Sequence, residues 1–369
     1  MLRFLIKLFA VLVFAALFIF FNLSKPAPAG KQKQVSGRGL YITSYVARTP
    51  SRFNFLREKA KNAGLNTLVI DAKEILSRPF LELARERKLA VEGRAAPSPW
   101  LSKLVEELHK ENFIVTVRLV VFKDDHLALA RPDLAVRVKG GGLYRDRKGG
   151  KWMDPYSDEV RLYNALIAES AALSGVDEIQ FDYIRFPAEG AAYNAYYPHE
   201  KKEVSRVAVI CDFLRAVREK TAKYNTSLAV DIFGVTAWQT LPAGRQGKND
   251  IENLGQDLKK MAKYLDVFSP MFYPSHFHAG YDGFANPGSH PYYFVNTGVR
   301  KAREILSGEA TVLAPWLQGF NLLSPNFGPN YIREQIKAAK DEGVERYLIW
   351  NARNDYGTAF RALAAGERK

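Results

Sequence analysis

The chain has 369 residues, of which 47% are hydrophobic and 12% aromatic, so it can bury a large core, and disorder over most of its length is excluded. Its formal charge of +14 could attract anionic lipids, acidic glycans or nucleic acid, but no basic run interleaved with aromatics favours a nucleic acid partner. Cys211 is the single cysteine, which excludes an intrachain disulfide, a thiolate metal site and a CxxC redox pair.

The chain begins with a long apolar stretch. Residues 1–23 are apolar apart from Arg3, Lys7 and Asn22. About 18 to 20 apolar residues can cross a hydrocarbon core, which favours a transmembrane anchor, whereas the small-residue pattern at 27–29 is typical of a cleaved signal segment. Because Arg3 and Lys7 precede the span, we expect the body to be membrane-anchored and extracytoplasmic, or secreted if the segment is cleaved.

The remainder divides into a flexible linker at 24–38, which is rich in Pro, Ala, Gly, Lys and Gln, and a folded domain at 39–369. Short β-branched and aromatic runs in this domain predict eight strands, at 40–47, 67–74, 114–122, 178–187, 227–234, 267–274, 311–320 and 346–352. Helical patterns lie between them at 51–63, 99–111, 158–173, 203–224, 253–265, 292–306 and 330–342.

Alternating strands and helices predict an α/β fold with parallel pairing, and eight such units predict a (β/α)₈ TIM barrel. The main alternative is a doubly wound open sheet. That fold would carry a glycine fingerprint, yet neither GxGxxG nor GxxxxGK[ST] follows any predicted strand, so we expect no nucleotide cofactor. Two glycine-containing segments, 137–155 and 241–250, are predicted to be long loops.

In such a barrel the active site forms where the strands end, so polar residues near the ends of apolar strands are informative. A charge directed at the surrounding helices would be costly to bury, which favours the barrel mouth. The charged residues at these positions are Asp71, Lys73, Arg118, Asp182, Arg185 and Asp231.

Asp182 and Asp231 are the central pair, because glycosidic cleavage uses two carboxyl groups on either side of the scissile bond. One stays ionised to attack or stabilise the anomeric carbon, and the other delivers a proton to the leaving oxygen. We assign the first role to Asp182 and the second to Asp231. The alternative is a structural ion pair of Asp182 with Arg118 or Arg185.

Two segments, EIQFDYIRFP at 178–187 and PMFYPSH at 270–276, resemble signatures of a bacterial family called the putative glycosyl hydrolase domain. The resemblance covers about residues 37–353. Three further segments resemble the family: GLYIT at 39–43, NTLVIDAK at 66–73 and IENLGQDL at 251–258.

The resemblance implies a barrel similar to the α-amylase-like glycosidases, in which an aspartate of the fourth strand is the nucleophile. Asp182 matches that position. The acid on the fifth strand of those enzymes is commonly Glu, so Asp231 departs from the pattern. Glu74 and Asp154 are the substitutes for the acid.

Aromatic and amide side chains gather at later strand ends, where rings could stack on sugars and amides could reach hydroxyl groups; core packing is the alternative for each ring. His276 joins them as a substrate contact. No cysteine or carboxylate cluster accompanies it, so we expect no metal. The candidate contacts of this group are Tyr273, His276, Trp316, Gln318, Trp350 and Asn351.

These observations predict an enzyme that cleaves or transfers a glycosidic bond in an envelope or extracellular polysaccharide, or in an oligosaccharide, without a cofactor and without nucleic acid. The alternative is a catalytically inactive barrel that binds cell-envelope glycan. A metal-dependent hydrolase is disfavoured by the small number of histidines, six in all. The active enzyme and the inactive barrel differ in whether a second carboxylate opposes Asp182. The two carboxyl groups of an active enzyme would lie about 5 to 5.5 Å apart for retention of configuration, or about 6.5 to 9.5 Å apart for inversion.

Overall fold

The computed structural model describes residues 35, 37–73, 85, 100–190, 192–238 and 247–364. Each barrel strand is parallel to the next, and the last pairs with the first, which closes the sheet. The strands are β1 Arg38–Ile42, β2 Thr67–Asp71, β3 Ile114–Val120, β4 Glu178–Asp182, β5 Ser227–Phe233, β6 Val267–Phe272, β7 Trp316–Gln318 and β8 Tyr347–Trp350. The predicted (β/α)₈ barrel is confirmed.

Helices follow the strands around the barrel. Serine side chains cap two of the longer ones, since Ser157 accepts the N–H of Val160 and Ser205 accepts that of Ala208. The helices are α1 Ser44–Ala47, α2 Pro50–Asn62, α3 Trp100–Lys110, α4 Asp125–Ala130, α5 Asp158–Leu173, α6 Arg206–Thr221, α7 Gly247–Leu254, α8 Leu258–Ala262, α9 Pro291–Ile305, α10 Pro329–Asp341 and α11 Gly357–Ala364.

The predicted strand ends were wrong in two informative places. The first strand was predicted to reach residue 47 but ends at Ile42, because the Thr43 side chain accepts the N–H of Val46 and begins α1. The fourth was predicted to reach residue 187 but ends at Asp182, because Tyr183 has a φ of 51° in the left-handed region. Asp182 is therefore the last residue of its strand, at the mouth.

Two loop predictions and one helix prediction also change. The predicted loop 137–155 contains a short strand, Arg137–Val138, that pairs antiparallel with Ala195–Tyr196. The predicted loop 241–250 lies partly outside the described residues, and α7 begins within it. The helix predicted at 253–265 is interrupted by Gly255, whose φ of 75° ends the helical path before α8 begins.

Two apolar layers follow from the alternation of strand side chains. On β1, Leu40 and Ile42 pack outward in the large cluster between strands and helices. Tyr41 points the other way and joins Trp316 and Leu348 inside the barrel. The mouth end of the interior carries charged residues, which places the polar chemistry on the face where the strands end.

The predicted membrane or signal segment, residues 1–23, and nearly all of the predicted linker lie outside the described residues. Within the described ranges no helix is both long enough and apolar enough to span a membrane.

Gly298 on α9 tests the packing of helix against barrel. An added Cβ there would lie 2.5 Å from Cε1 of the Phe272 ring, which is fully buried on β6. We expect Gly298→Ala to lower the free energy of unfolding by about 1–3 kcal/mol, because overpacking outweighs the helix propensity gained. Denaturant unfolding measures the change.

Gly357→Ala, at the start of α11, is the matched control. Its Cβ would make only ordinary contacts, 3.6 Å or more from its neighbours. We expect an unchanged or slightly higher stability for this variant. Equal effects of the two substitutions would contradict the close helix–barrel approach.

Candidate active site

Four charged side chains converge at the barrel mouth: Asp71, Arg118, Asp182 and Asp231, called here the mouth cluster. Asp71 on β2 lies opposite Arg118 on β3 in the strand register. The register of β4 with β5 brings Asp182 level with Asp231. Neighbouring positions of parallel strands direct their side chains to the same face, so the fold itself assembles the cluster.

The Arg118 guanidinium is the centre of the mouth cluster. Its Nη1 donates to Asp71 Oδ1 at 2.6 Å, and its Nε donates to Asp182 Oδ2 at 3.1 Å. Its side chain is only 8% exposed. Burial alone lowers the pKa of the guanidinium, but the charges of Asp71 and Asp182 outweigh burial and raise it. Arg118 is therefore a fixed positive charge.

Asp231 occupies the most buried position of the cluster, with 2% of its surface exposed. Its Oδ1 accepts the indole N–H of Trp316 at 2.6 Å. Burial and the neighbouring charge of Asp182 raise its pKa well above the usual range, and Arg118 and Trp316 offset only part of this. Asp231 therefore keeps its proton to higher pH than an ordinary aspartate.

The two central carboxyl groups lie close together. Nε of Arg118 is 3.1 Å from Asp182 Oδ2 and 3.9 Å from Asp231 Oδ2. The two Oδ2 atoms are therefore at most about 7 Å apart, the sum of these distances. This bound includes the separation of retaining glycosidases, about 5 to 5.5 Å, and the shortest of inverting ones, about 6.5 Å.

Aromatic rings form one wall of the mouth. Tyr41 stacks on Trp350 with ring centroids 3.9 Å apart, and Trp350 meets the ring of Trp316 edge-on at 5.5 Å. The Tyr41 hydroxyl donates to Asp71 Oδ2, and the Arg118 guanidinium lies 5.1 Å from the Trp350 ring. Tyr41 was missed from the sequence, although its position between the outward-facing Leu40 and Ile42 could have identified it.

Tyr273 and His276 lie at the end of β6. Their rings contact each other at 5.2 Å, and the His276 ring also contacts Phe320 at 5.7 Å. Burial raises the pKa of the Tyr273 hydroxyl. Burial, and then the positive charge of Lys148, lowers the pKa of His276. His276 is thus kept neutral beside an aromatic surface.

A side pocket of about 160 Å³ adjoins the cluster through Asp71 and Arg118. Arg48 and Trp100 also line it, with the Arg48 guanidinium 4.9 Å from the Trp100 ring. Neither was identified from the sequence, since Arg48 follows α1 and Trp100 begins α3, and neither lies at a strand end. Lys73 lines the same pocket, and its Nζ contacts the carbonyl oxygen of Val121 and the carboxylate of Asp124, each at 2.9 Å.

Other predicted contacts have partners in the surrounding loops. Arg185 pairs with Glu189 at 2.9 Å and lies over the Trp152 ring. Both oxygens of the buried Asp154 accept backbone N–H groups, from Tyr156 and His199. Asp154, the suggested substitute for the acid, therefore holds a loop. Glu74, the other substitute, lies outside the described residues.

The two predicted amides also hold loops. Gln318 accepts the N–H of Ser275 at 3.2 Å and donates to the carbonyl of Phe320 at 2.9 Å. Asn351 donates to the carbonyls of Gly319 and Asp355, each at 2.8 Å. They fix the loops that follow β6, β7 and β8 at the mouth.

A model of the family described as "Putative glycosyl hydrolase domain" matches residues 39–356. The PgaB (BpsB) glycoside hydrolase domain from Bordetella bronchiseptica has a similar fold, with a TM-score of 0.58, 12% identity, and 90% of this chain and 96% of that chain covered. An endo-beta-1,4-mannanase from Thermotoga petrophila has a similar fold too, with a TM-score of 0.57 and 12% identity. The match covers 91% of this chain and 76% of that chain.

The spore cortex-lytic enzyme SleL from Bacillus megaterium QM B1551 gives a TM-score of 0.52 at 12% identity, covering 92% of this chain and 75% of that chain. At such low identity these three likenesses show a common barrel fold alone. No curated protein sequence matches the chain.

Arg118→Met tests the role of the guanidinium. The substitution leaves buried carboxylates without their shared cation, and we expect the free energy of unfolding to fall by about 3–5 kcal/mol. Arg215→Met on α6 is the control, because Arg215 pairs with exposed Asp212 and Glu219. The control is expected to unfold like the wild type in denaturant. A stability of Arg118→Met equal to the control would refute the central position of Arg118.

Asp231→Asn tests the raised pKa. A carboxyl group whose pKa is raised by folding stabilises the fold below its unfolded pKa of about 4, and this contribution is lost as pH rises through the folded value. Asn cannot lose a proton. We therefore expect the stability of Asp231→Asn, relative to wild type, to increase as the pH is raised above about 4.

Asp133→Asn is the control of opposite sign, because the bonds from Arg131 lower the pKa of Asp133. Relative to wild type, this variant should gain stability as pH falls. Denaturant unfolding across a pH series measures both. A pH-independent difference between Asp231→Asn and the wild type would contradict the raised pKa.

Proposed function

The chain belongs to the family described as "Putative glycosyl hydrolase domain", and from this membership we propose that it is a glycoside hydrolase that cleaves or transfers a glycosidic bond at the mouth cluster. One observation carries the proposal: two carboxyl groups at most about 7 Å apart share one guanidinium but differ in environment. Glycosidic cleavage requires such a difference, since one group reacts ionised and the other as an acid.

Asp182 is proposed as the nucleophile or stabiliser of positive charge. Two N–H groups of Arg118 and the backbone N–H of Tyr183 donate to its oxygens, an arrangement suited to a carboxylate. Asp182 ends its strand and is more exposed than Asp231, with 8% against 2% of its surface accessible. It is therefore the carboxylate better placed to meet a sugar.

Asp231 is proposed as the general acid and base. Its raised pKa favours the protonated form that must donate to the leaving oxygen. The Trp316 indole N–H binds one oxygen and leaves the other, Oδ2, directed toward Arg118. The raised pKa of Asp231 and the N–H donors around Asp182 suit the two groups to the separate roles of acid and nucleophile.

The aromatic wall supports a sugar substrate. Trp350 is the partly exposed ring of this wall, and the buried rings of Tyr41 and Trp316 pack against it. Sugar rings present apolar C–H faces to such an aromatic surface. We propose a polysaccharide or oligosaccharide of the envelope or exterior as the substrate. The apolar residues 1–23 motivate this location and an extracytoplasmic, membrane-anchored or secreted protein.

A second candidate is a barrel that binds glycan without turnover. It is favoured by the ion pair between Asp182 and Arg118, which occupies Oδ2 of the proposed nucleophile. On this alternative the mouth binds glycan, but the two carboxyl groups perform no chemistry.

Variants of the two aspartates separate these candidates. On a cleaved glycan or aryl glycoside, Asp182→Asn should lower kcat at least about 10³-fold whatever the leaving group. Asp231→Asn should lower kcat by about 10²- to 10⁴-fold with an alcohol leaving group, but much less with dinitrophenolate, which needs no proton. Steady-state kinetics, with circular dichroism as the test of folding, provide the measurement.

Asp282→Asn is the control, since Asp282 also follows β6 but binds Trp238 and Tyr293 rather than the cluster. It should retain wild-type kcat. Glycan binding without any cleavage by the wild type would favour the inactive barrel. Cleavage that survives Asp182→Asn would overturn the assignment of the nucleophile.

A further inference from the structure

Residues 135–153, called here the basic arch, lie in the long connection between β3 and α5. The chain doubles back within it, with antiparallel bridges between Arg137 and Leu143 and between Arg145 and Lys151. A further bridge joins Ala135 to Met153 at its base. Because the connection leaves the end of β3, the arch stands on the same face as the mouth cluster.

The basic arch is strongly cationic. Asp146 is its single acid, and Lys151 pairs with Asp125. The remaining cations make no ion pair with any residue in the described part of the chain; they are Arg137, Lys139, Arg145, Arg147 and Lys148. Arg137 and Arg145 donate to the carbonyls of Pro132 and Gly149, but no acid in the described residues compensates the charge of these five cations.

A buried carboxylate fixes the tip of the arch. Asp146 accepts the backbone N–H groups of Lys148 and Gly150, each at 2.9 Å, and pairs with Lys123 at 2.6 Å. Arg147 and Lys148 are exposed on the turn that results. Since the backbone is already ordered, binding through these two cations loses little conformational entropy.

The arch is anchored beside the barrel mouth. Trp152 of the arch contacts Tyr183, the residue after Asp182, with ring centroids 5.6 Å apart. Lys148 is close enough to His276 for its charge to lower the pKa of that histidine. His276 follows β6 whereas the arch follows β3, so the charge of Lys148 acts on a residue from another side of the barrel.

A groove of about 350 Å³ runs along the arch. Arg137, Lys139 and Tyr196 line it, and Tyr196 is 50% exposed. A tyrosine ring beside two cations offers both a stacking surface for a sugar ring and partners for an anionic group. Nucleic acid or anionic lipid would use the cations but gives no reason for their position beside a glycosidase-like mouth.

We propose that the substrate is an acidic polysaccharide, whose repeated carboxylate or phosphate groups bind the arch at Arg147 and Lys148 and along the groove at Arg137 and Lys139. This inference rests on the proposed function and names the substrate class of that site. The arch holds the polysaccharide so that a sugar unit next to the bound acidic group reaches the mouth cluster. Binding depends on charge and is weakened by salt.

The test measures binding to full-length protein carrying Asp182→Asn, which prevents turnover. The probes are polygalacturonate, glycerol teichoic acid and neutral dextran, with duplex DNA and phosphatidylglycerol vesicles as rival anions. We expect the two acidic polymers to bind and dextran to bind weakly. Arg147→Ser together with Lys148→Ser should weaken binding of the acidic polymers about tenfold and reduce its dependence on salt.

Lys59→Ser with Lys61→Ser is the matched control, which removes two exposed charges from the last turn of α2, next to the start of β2 at the opposite end of the barrel. It should bind like the parent. Equal losses of affinity for the acidic polymers in both double variants would show that only net charge matters, and would overturn the inference. Preferential binding of DNA or vesicles over both acidic polymers would also overturn it.

Polygalacturonate carries carboxylate groups and teichoic acid carries phosphate groups, so comparing the two polymers shows which anion the arch binds. Binding of either polymer supports the inference. Cleavage of dextran by the wild type, with no preference for an acidic polymer, would overturn the inference and leave the proposed function standing. Acidic-polymer binding that depends on the arch, with no cleavage of any glycan, would overturn the proposed function instead.

Discussion

The structure depends most on one buried guanidinium. Arg118 lies between Asp71 and Asp182 and 3.9 Å from Asp231, inside the mouth of a closed barrel. Three carboxyl groups could not be gathered there without it, because like charges at short range raise each other's pKa. Arg118 donates hydrogen bonds directly to Asp182 and Asp71 but lies 3.9 Å from Asp231. Burial and the charge of Asp182 therefore raise the pKa of Asp231, and Arg118 offsets only part of this. The difference between the two central acids follows from this geometry.

The fold and the surrounding rings maintain that arrangement. Strand register aligns the four side chains, the left-handed turn at Tyr183 ends β4 at Asp182, and Trp316 holds Asp231 from β7. Tyr41 and Trp350 exclude water from the other side of Arg118. Low polarity strengthens every charge interaction in the cluster. The basic arch adds positive charge beside a mouth whose own cation, Arg118, is already paired.

Much of this could be predicted from the sequence, and the failures have physical causes. The alternation of apolar runs with helical patterns predicted the barrel, and polar residues at strand ends predicted Asp71, Arg118, Asp182 and Asp231. Strand ends were missed where a side-chain cap at Thr43 or a left-handed residue at Tyr183 overrides β propensity. One partner of Asp154, the N–H of His199, and one of Gln318, the N–H of Ser275, are distant in sequence, and no local pattern encodes them.

We propose that Asp231 donates the proton in glycosidic cleavage and that Asp182 attacks the anomeric carbon or stabilises its positive charge. The pH dependence of kcat/KM for wild type and Asp231→Asn, on a glycan that the wild type cleaves and on a dinitrophenyl glycoside, tests it most directly. The account predicts that wild-type activity on the glycan falls on the alkaline side, above the ordinary range of an aspartate, as Asp231 loses its proton. This fall should be absent from the residual activity of Asp231→Asn on the dinitrophenyl substrate. The same alkaline fall in both proteins would contradict the account, because the proton would then come from another group.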